Sequence, residues 1–157
     1  MFKPLRLSDA ITVFSVEDPA IDWDKVDDSG KDKDTKKREL YLKAIKDPSV
    51  LAKSLQFKEG LQPTSFTVGV VPPDILTRLQ DEFGVEKPNS LRWGCFLNGL
   101  RDVSWPTPPK TRSVEGTSYV DPEWIKQTFV RGLHARACEV GMYVLAFNRL
   151  TDDEVRL

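Results

Sequence analysis

The chain has 157 residues, 39% of them apolar and 30% charged, which is the composition of one globular domain and not of a disordered chain. Its 23 Lys and Arg residues stand against 24 Asp and Glu residues, which argues against nucleic acid as a main partner because phosphate binding needs a basic excess. There is no run of about 18 apolar residues to span a membrane, and the first residues lack the apolar run of a signal peptide. We therefore expect a single domain over residues 1–157 that makes no membrane contact.

The first predicted elements are a strand, a charged segment and two helices. Ala10 to Val16 is rich in β-branched and aromatic residues, which is typical of a short strand. Interspersed acids and bases dominate residues 22–38, and this pattern predicts an exposed charged loop or arm. Apolar residues then recur at helical spacing from Thr35 to Lys46, and a second short helix is expected over residues 48–55.

The middle of the chain predicts a strand followed by two helices. Residues 62–71 alternate between apolar and polar side chains, which indicates a strand. A helix is expected from Pro73 to Phe83, because apolar residues follow its helical period and Gly84 can end it. A further amphipathic helix is predicted from Leu91 to about Val103.

The last third of the chain predicts a connector and one long helix. Prolines make residues 104–119 an extended, Pro-rich connector. Asp121 is a strong helix start, and the helix is expected to run to about Leu150, with residues 140–147 apolar almost all round. The fold class is then α+β and mainly helical. About four or five helices, the last of them long, should pack on a small antiparallel sheet made of the Ala10 and Phe66 segments.

Four single glycines fall inside the predicted helices, and they do not form a phosphate-binding loop. We expect them to let neighbouring helices pack closely. They are Gly94, Gly99, Gly132 and Gly141.

One group of residues is a candidate for chemistry. His134 is the single histidine of the chain and lies four residues before Cys138, so that both fall on one helix face. Cys95 could supply a third metal ligand from the neighbouring helix, or Cys138 and His134 could act as a nucleophilic pair. The sequence has no Cys-x-x-Cys pair for zinc and no identifiable third group to orient the histidine, so burial of both His134 and Cys138 is the preferred interpretation. We predict no catalytic residue, no metal site and no cofactor.

Large aromatic residues mark candidate contact surfaces, because an aromatic ring buries a large area against a partner. Trp23 and Trp105 lie in or beside segments predicted to be irregular, where an exposed ring would indicate an interface. The predicted protein-interface residues are Trp23, Tyr41, Trp105, Pro106 and Tyr119.

The order of the parts is informative beyond the single elements. An extended piece around Asp18-Pro19-Ala20-Ile21-Asp22 precedes a charged helix, a strand at residues 63–68 and an amphipathic helix. Residues 96–103 and a C-terminal helix that closes in residues 148–154 follow. This arrangement resembles small structural proteins encoded in the head and tail modules of tailed bacteriophages, and the similarity covers most of the chain.

The resemblance implies a non-enzymatic virion component of the capsid, neck or tail, assembled in the host cytoplasm. Its partners would be other copies of itself, other virion proteins, or both. Two alternatives within this class are an assembly chaperone and a soluble adaptor domain that binds one protein through the Trp105 connector. The alternative from another class is a small thiol or zinc enzyme that uses Cys95, His134 and Cys138.

Overall fold

Seven helices and five strands are found in the part of the chain that the structure describes. The computed structural model describes residues 6–26, 29–84, 86–129 and 133–156, and for residues 150–156 it describes the backbone alone. The strands are β1 (Ala10–Phe14), β2 (Ser65–Gly69), β3 (Leu100–Val103), β4 (Thr111–Val114) and β5 (Thr117–Val120). The helices are α1 (Trp23–Val26), α2 (Lys33–Ala44), α3 (Val50–Ser54), α4 (Pro73–Phe83), α5 (Pro88–Gly99), α6 (Pro122–Thr128) and α7 (His134–Arg156).

The predicted α+β class is confirmed, and so is the small antiparallel sheet. β2 is the middle strand, with β1 on one side and β3 on the other, and both pairings are antiparallel. Opposite residues include Val13 and Phe66, which lie in the core, and a bulge between Thr67 and Val68 shifts the register toward β3. The helix predicted from Pro73 to Phe83 has those bounds in α4.

The predicted charged arm at residues 22–38 is wrong for most of its length. α1 and the first half of α2 are helical, and Asp32 caps α2 by accepting a hydrogen bond of 2.8 Å from the Thr35 N–H. Lys36 is buried, and its ammonium group donates to the Trp23 carbonyl at 2.8 Å. Apolar residues are sparse in this segment. Its helices are stabilised instead by the capping hydrogen bond and by burial of the long methylene chain of the lysine. Residues 27–28 lie outside the described part.

The helix predicted from Leu91 to Val103 ends early. α5 stops at Gly99, and the backbone becomes extended at Leu100 to form β3. Leu100 and Val103 are both buried, and this spacing of three is also that of a helix face. Residues 100–103 form a strand because they pair with the second edge of β2. Without this pairing, the backbone donors and acceptors at that edge would lack partners.

The predicted extended connector at residues 104–119 is wrong in its second part, which forms two paired strands. β4 and β5 form an antiparallel hairpin in which Thr111 pairs with Val120 and Val114 with Thr117. The two turn residues Glu115 and Gly116 both have positive φ angles, 51° and 81°. Such a turn matches the twist of the two strands, so that the chain folds back where an extended segment was predicted.

A long C-terminal helix is confirmed in α7, but it does not begin at Asp121 as predicted, because a separate helix, α6, precedes it. Asp121 caps α6 as predicted by accepting from the Glu123 N–H, but α6 ends at Thr128 and Phe129 leaves the helical conformation. α7 starts at His134, and Gly132 lies outside the described residues. Phe129 turns inward, and its ring lies 5.0–6.4 Å from four other aromatic rings, those of Phe66, Phe96, Trp105 and Trp124.

Glycines set the distance between α7 and its neighbours, as the sequence predicted. A methyl group on Gly141 would overlap the backbone carbonyl of Arg92 in α5, and one on Gly99 would overlap the Val144 side chain. At Gly94 an added methyl would lie 2.6 Å from a Leu79 methyl group in α4. α5 is therefore in close contact with α7 on one side and with α4 on the other.

Asn148 connects α7 to the end of β2. Its side-chain oxygen accepts from the Val71 N–H at 2.9 Å, and its amide donates to the Gly69 carbonyl at 3.2 Å. Asn148 is only 5% exposed, so water cannot easily replace these bonds. Asn148 therefore provides hydrogen-bond partners for backbone groups at the end of β2 and in the residues that follow it.

We expect Gly141→Ala to lower the free energy of unfolding by about 2 kcal/mol, because overlap with a backbone carbonyl outweighs the better helix propensity of alanine. Gly94→Ala is the matched control, since its neighbour is the flexible end of Leu79, and it should cost less than about 0.5 kcal/mol. Urea denaturation followed by circular dichroism measures both. Equal effects of the two substitutions would contradict the close approach at Gly141.

We expect Asn148→Ala to cost about 2 kcal/mol, because the Val71 N–H is then buried without a partner. Asn98→Ala serves as the control, since its amide bonds only to the Gly94 carbonyl of its own helix. The same urea titration should show a loss below about 0.5 kcal/mol for the control. If Asn98→Ala lowered the free energy of unfolding as much as Asn148→Ala, the hydrogen bonds from Asn148 to the end of β2 would not explain the loss.

Candidate functional site

The His134–Cys138 pair is present at the start of α7. The thiol sulfur of Cys138 lies 3.5 Å from His134 Nε2 and 3.8 Å from the Asn89 carbonyl. The His134 ring also packs on Trp93, with a centroid distance of 4.9 Å. The predicted neighbours are therefore brought together, but the expected burial holds only for Cys138, because His134 at the first position of α7 is exposed.

Cys95 does not complete a metal site with this pair. Among the described residues, no three His, Cys, Asp or Glu side chains are grouped so that they could hold a metal ion. Burial raises the pKa of the Cys95 thiol to about 12, and burial also raises the pKa of Cys138. Burial therefore disfavours the thiolate form that a nucleophilic cysteine needs.

Glu139 is a half-buried acidic residue that the sequence did not single out. It accepts hydrogen bonds from the Ser15 hydroxyl at 2.6 Å, from the Val16 N–H at 2.8 Å and from the Tyr143 hydroxyl at 2.6 Å. Burial raises its pKa and outweighs these three bonds, which act in the opposite direction. Nearby Glu17 raises the pKa further. The group ties α7 to the segment that follows β1.

Two of the five predicted interface residues are core residues. Trp23 is 7% exposed, while Tyr119 is 1% exposed. The Tyr119 hydroxyl donates to the Val70 carbonyl at 2.8 Å, and the Arg101 guanidinium lies 3.9 Å from the centre of its ring. Trp23 and Tyr119 are wrong as contact residues, because the segments around them fold into α1 and a hairpin and bury both rings.

The other three predicted interface residues are at least partly accessible. Trp105 is half-buried, and its ring centroid lies 5.0 Å from that of Phe129, while Pro106 beside it is exposed. Tyr41 is half-buried near Tyr143, at a centroid distance of 6.3 Å. These three residues remain candidates for contact with a partner.

A cavity of about 560 Å³ lies between α2 and the first turns of α5 and α7, and we call it the α2–α7 pocket. The His134–Cys138 pair and Glu139 lie in its wall. The lining residues are Val16, Glu17, Asp34, Lys37, Arg38, Tyr41, Asn89, Arg92, His134, Ala135, Cys138 and Glu139.

A second cavity of about 430 Å³ runs between α4 and α5 on another part of the surface, and we call it the α4–α5 groove. It is mainly apolar. Its apolar residues are partly exposed, and they are Ile75, Leu79, Phe83, Trp93 and Leu97. Arg78 and Glu82 are exposed on its rim, so that both signs of charge border the apolar strip.

Sequence patterns gave only part of these two sites. The helical period of α4 identified Ile75, Leu79 and Phe83 as one apolar face, but it could not show that α5 leaves this face half open. Nothing in the sequence pointed to Arg38 and Arg92, which lie 54 positions apart and meet at the α2–α7 pocket only through the fold. A charged residue next to a buried helix face carries no distinguishing sequence signal.

Comparison with known proteins gives no relative: no family model matches the chain, no curated protein is similar to it, and no solved structure matches its fold. Within the described ranges, none of the helices combines the length and apolarity needed to cross a membrane. Arguments about function therefore depend on the two cavities and on the resemblance noted in the sequence.

The raised pKa of Glu139 predicts a pH dependence of stability. A group whose pKa is higher in the folded than in the unfolded chain stabilises the fold below its ordinary value, here 4.5, and this contribution is lost as pH rises through the folded pKa. The stability of the wild type minus that of Glu139→Gln should therefore fall as pH increases above 4.5.

Urea midpoints measured at intervals from acid to neutral pH provide this difference. Glu123→Gln, which removes one carboxylate from the exposed start of α6, is the control for the change in net charge. If the stability of the wild type relative to Glu139→Gln rose with pH, the prediction would be contradicted. That result would mean that the three hydrogen bonds affect the pKa of Glu139 more than burial does.

Proposed function

We infer that this protein acts through protein–protein contacts as a structural or assembly protein, and that it is a capsid, neck or tail component of a tailed bacteriophage. The α4–α5 groove is the observation that carries the first part of this proposal. The resemblance of the order of its elements to phage head and tail proteins supports the second part. On this proposal the protein is assembled in the host cytoplasm and resides in the virion.

The α4–α5 groove supports a contact role because its apolar residues are contiguous. Single exposed apolar side chains such as Leu42 and Leu61, each 49% exposed, are ordinary on protein surfaces. Phe83, Trp93 and Leu97 instead line one groove between two helices, so that a single partner can bury all three.

The rim of the groove fits the same role. Arg78 and Glu82 lie one helical turn apart on the exposed side of α4. Paired charges at the border of an apolar strip orient a partner more than they add affinity. The partner that we propose is another virion subunit, either a second copy of this chain or a different protein. An assembly chaperone or an adaptor would use the same groove and would differ in leaving the finished particle.

We expect the purified protein to form a defined multimer, or a complex with a purified virion protein of the same phage, and Phe83→Ser to weaken it by at least about tenfold. The loss follows because Phe83 is an apolar anchor in the groove. Light scattering coupled to size-exclusion chromatography, over a range of concentrations, measures the mass against the 17.8 kDa of one chain.

Leu61→Ser is the matched control, because it removes an exposed leucine outside the groove and should leave the mass unchanged. Leu97→Gln is a second groove variant that guards against a folding defect at Phe83. A monomer that binds none of the virion proteins at any concentration would refute the contact role.

Immunogold labelling of purified particles separates the virion component from the chaperone, since only the former is retained. Stoichiometric zinc that is lost in His134→Ala would instead favour the enzyme alternative.

A further inference from the structure

The α2–α7 pocket has the size of a small-molecule site. Its volume of about 560 Å³ lies inside the usual range for such sites, roughly 300–1,000 Å³. It is separate from the α4–α5 groove, and no residue lines both cavities. What it can bind depends on which of its charged groups already have partners.

Three of the charged groups in the pocket wall are committed to partners within the protein. Lys37 forms an ion pair of 2.9 Å with Glu17. Glu139 accepts from three donors, and these bonds hold it toward the segment after β1. Neither the lysine nor these two carboxyl groups is therefore the main determinant of ligand charge.

Two arginines in the wall have no such commitment. In the described part of the chain, neither Arg38 nor Arg92 makes a hydrogen bond or a close ion pair, although the charge of Arg38 contributes to lowering the pKa of Asp32, which lies outside the pocket wall. Asp34 is the one remaining carboxylate of the wall, and it is exposed at the start of α2. Counted with Lys37, the wall holds three basic and three acidic side chains, and Arg38 and Arg92 are the two basic ones outside the Lys37–Glu17 ion pair. Guanidinium groups bind carboxylate and phosphate oxygens in pairs of hydrogen bonds.

Two helix starts add to the positive charge of these two arginines. Asn89 in the first turn of α5 and His134 and Ala135 in the first turn of α7 line the pocket. No side chain caps α5. The exposed N–H groups of a helix start carry a partial positive charge, which favours an anion beside the two arginines.

The rest of the wall is apolar. Val16, Ala135 and the Tyr41 ring line it together with the Cys138 thiol, which is uncharged. A bare inorganic anion would leave this surface in contact with water. A ligand that combines an anionic head with an apolar body would cover it.

We propose that the α2–α7 pocket binds a small organic anion whose carboxylate, phosphate or sulfonate head is held by Arg38 and Arg92 and whose apolar body packs on Val16, Tyr41 and Ala135. This ligand site is independent of the subunit contacts proposed for the α4–α5 groove. It gives Tyr41, predicted as an interface residue, a second type of contact.

Two fluorescent probes with the same aromatic body test the proposal. Anilinonaphthalene sulfonate carries an anionic head, and N-phenylnaphthylamine does not. We expect the wild-type protein to bind the sulfonate probe saturably, with one site per chain. The double variant Arg38→Gln/Arg92→Gln should bind it at least about tenfold more weakly, whereas its affinity for the uncharged probe should not change.

Arg78→Gln is the matched control, because it removes an arginine from the rim of the α4–α5 groove and should leave sulfonate binding unchanged. Ala135→Trp should abolish binding of both probes by filling the pocket, and circular dichroism shows whether each variant is folded. Sulfonate binding that survives in the double variant, or that is lost in Arg78→Gln or Phe83→Ser, would overturn the proposal. So would a wild-type protein that does not bind the sulfonate probe. None of these outcomes depends on whether the protein forms multimers.

Discussion

The close contact between α5 and α7 is the constraint on which both cavities depend. Gly141 lets α7 lie directly on the backbone of α5 at Arg92, and Gly99 does the same beside Val144. A side chain at either position would force the helices apart. Since α5 is held this closely on one side, its opposite side is left to α4, where the groove opens. The starts of α5 and α7 are brought together by the same contact, and the α2–α7 pocket forms where they meet α2.

Much of the fold could be predicted because periodicity is a local property. α4 and the strands β1 and β2 follow from the spacing of apolar residues in short windows. The errors occur where distant contacts decide. Leu100 and Val103 fit a helix face as well as a strand, and the free edge of β2 selects the strand. Phe129 fits the continued helix, but its position among four aromatic rings ends α6.

The candidate sites were harder to predict than the fold, and the aromatic residues show why. A tryptophan serves equally well as a core residue and as an interface anchor, and its chemistry does not reveal which. Trp23 is buried by α2, whereas Trp105 remains half-buried beside Phe129. The role of a basic residue is equally hard to predict from the sequence. Arg92 differs from any solvated arginine only through the cavity that it faces. These distinctions arise from topology, which composition and spacing do not contain.

The Glu139 network has a consequence for how the chain is made on the ribosome. Its partners Ser15 and Val16 precede it by 124 and 123 positions. At a synthesis rate of about 5–20 residues per second, the segment after β1 waits roughly 6–25 s before its carboxylate partner exists. β1 can pair with β2 and contact α3 during this interval, but the Ser15 hydroxyl and the Val16 N–H have no Glu139 carboxyl group to donate to until α7 is made. This part of the fold is therefore completed late in synthesis.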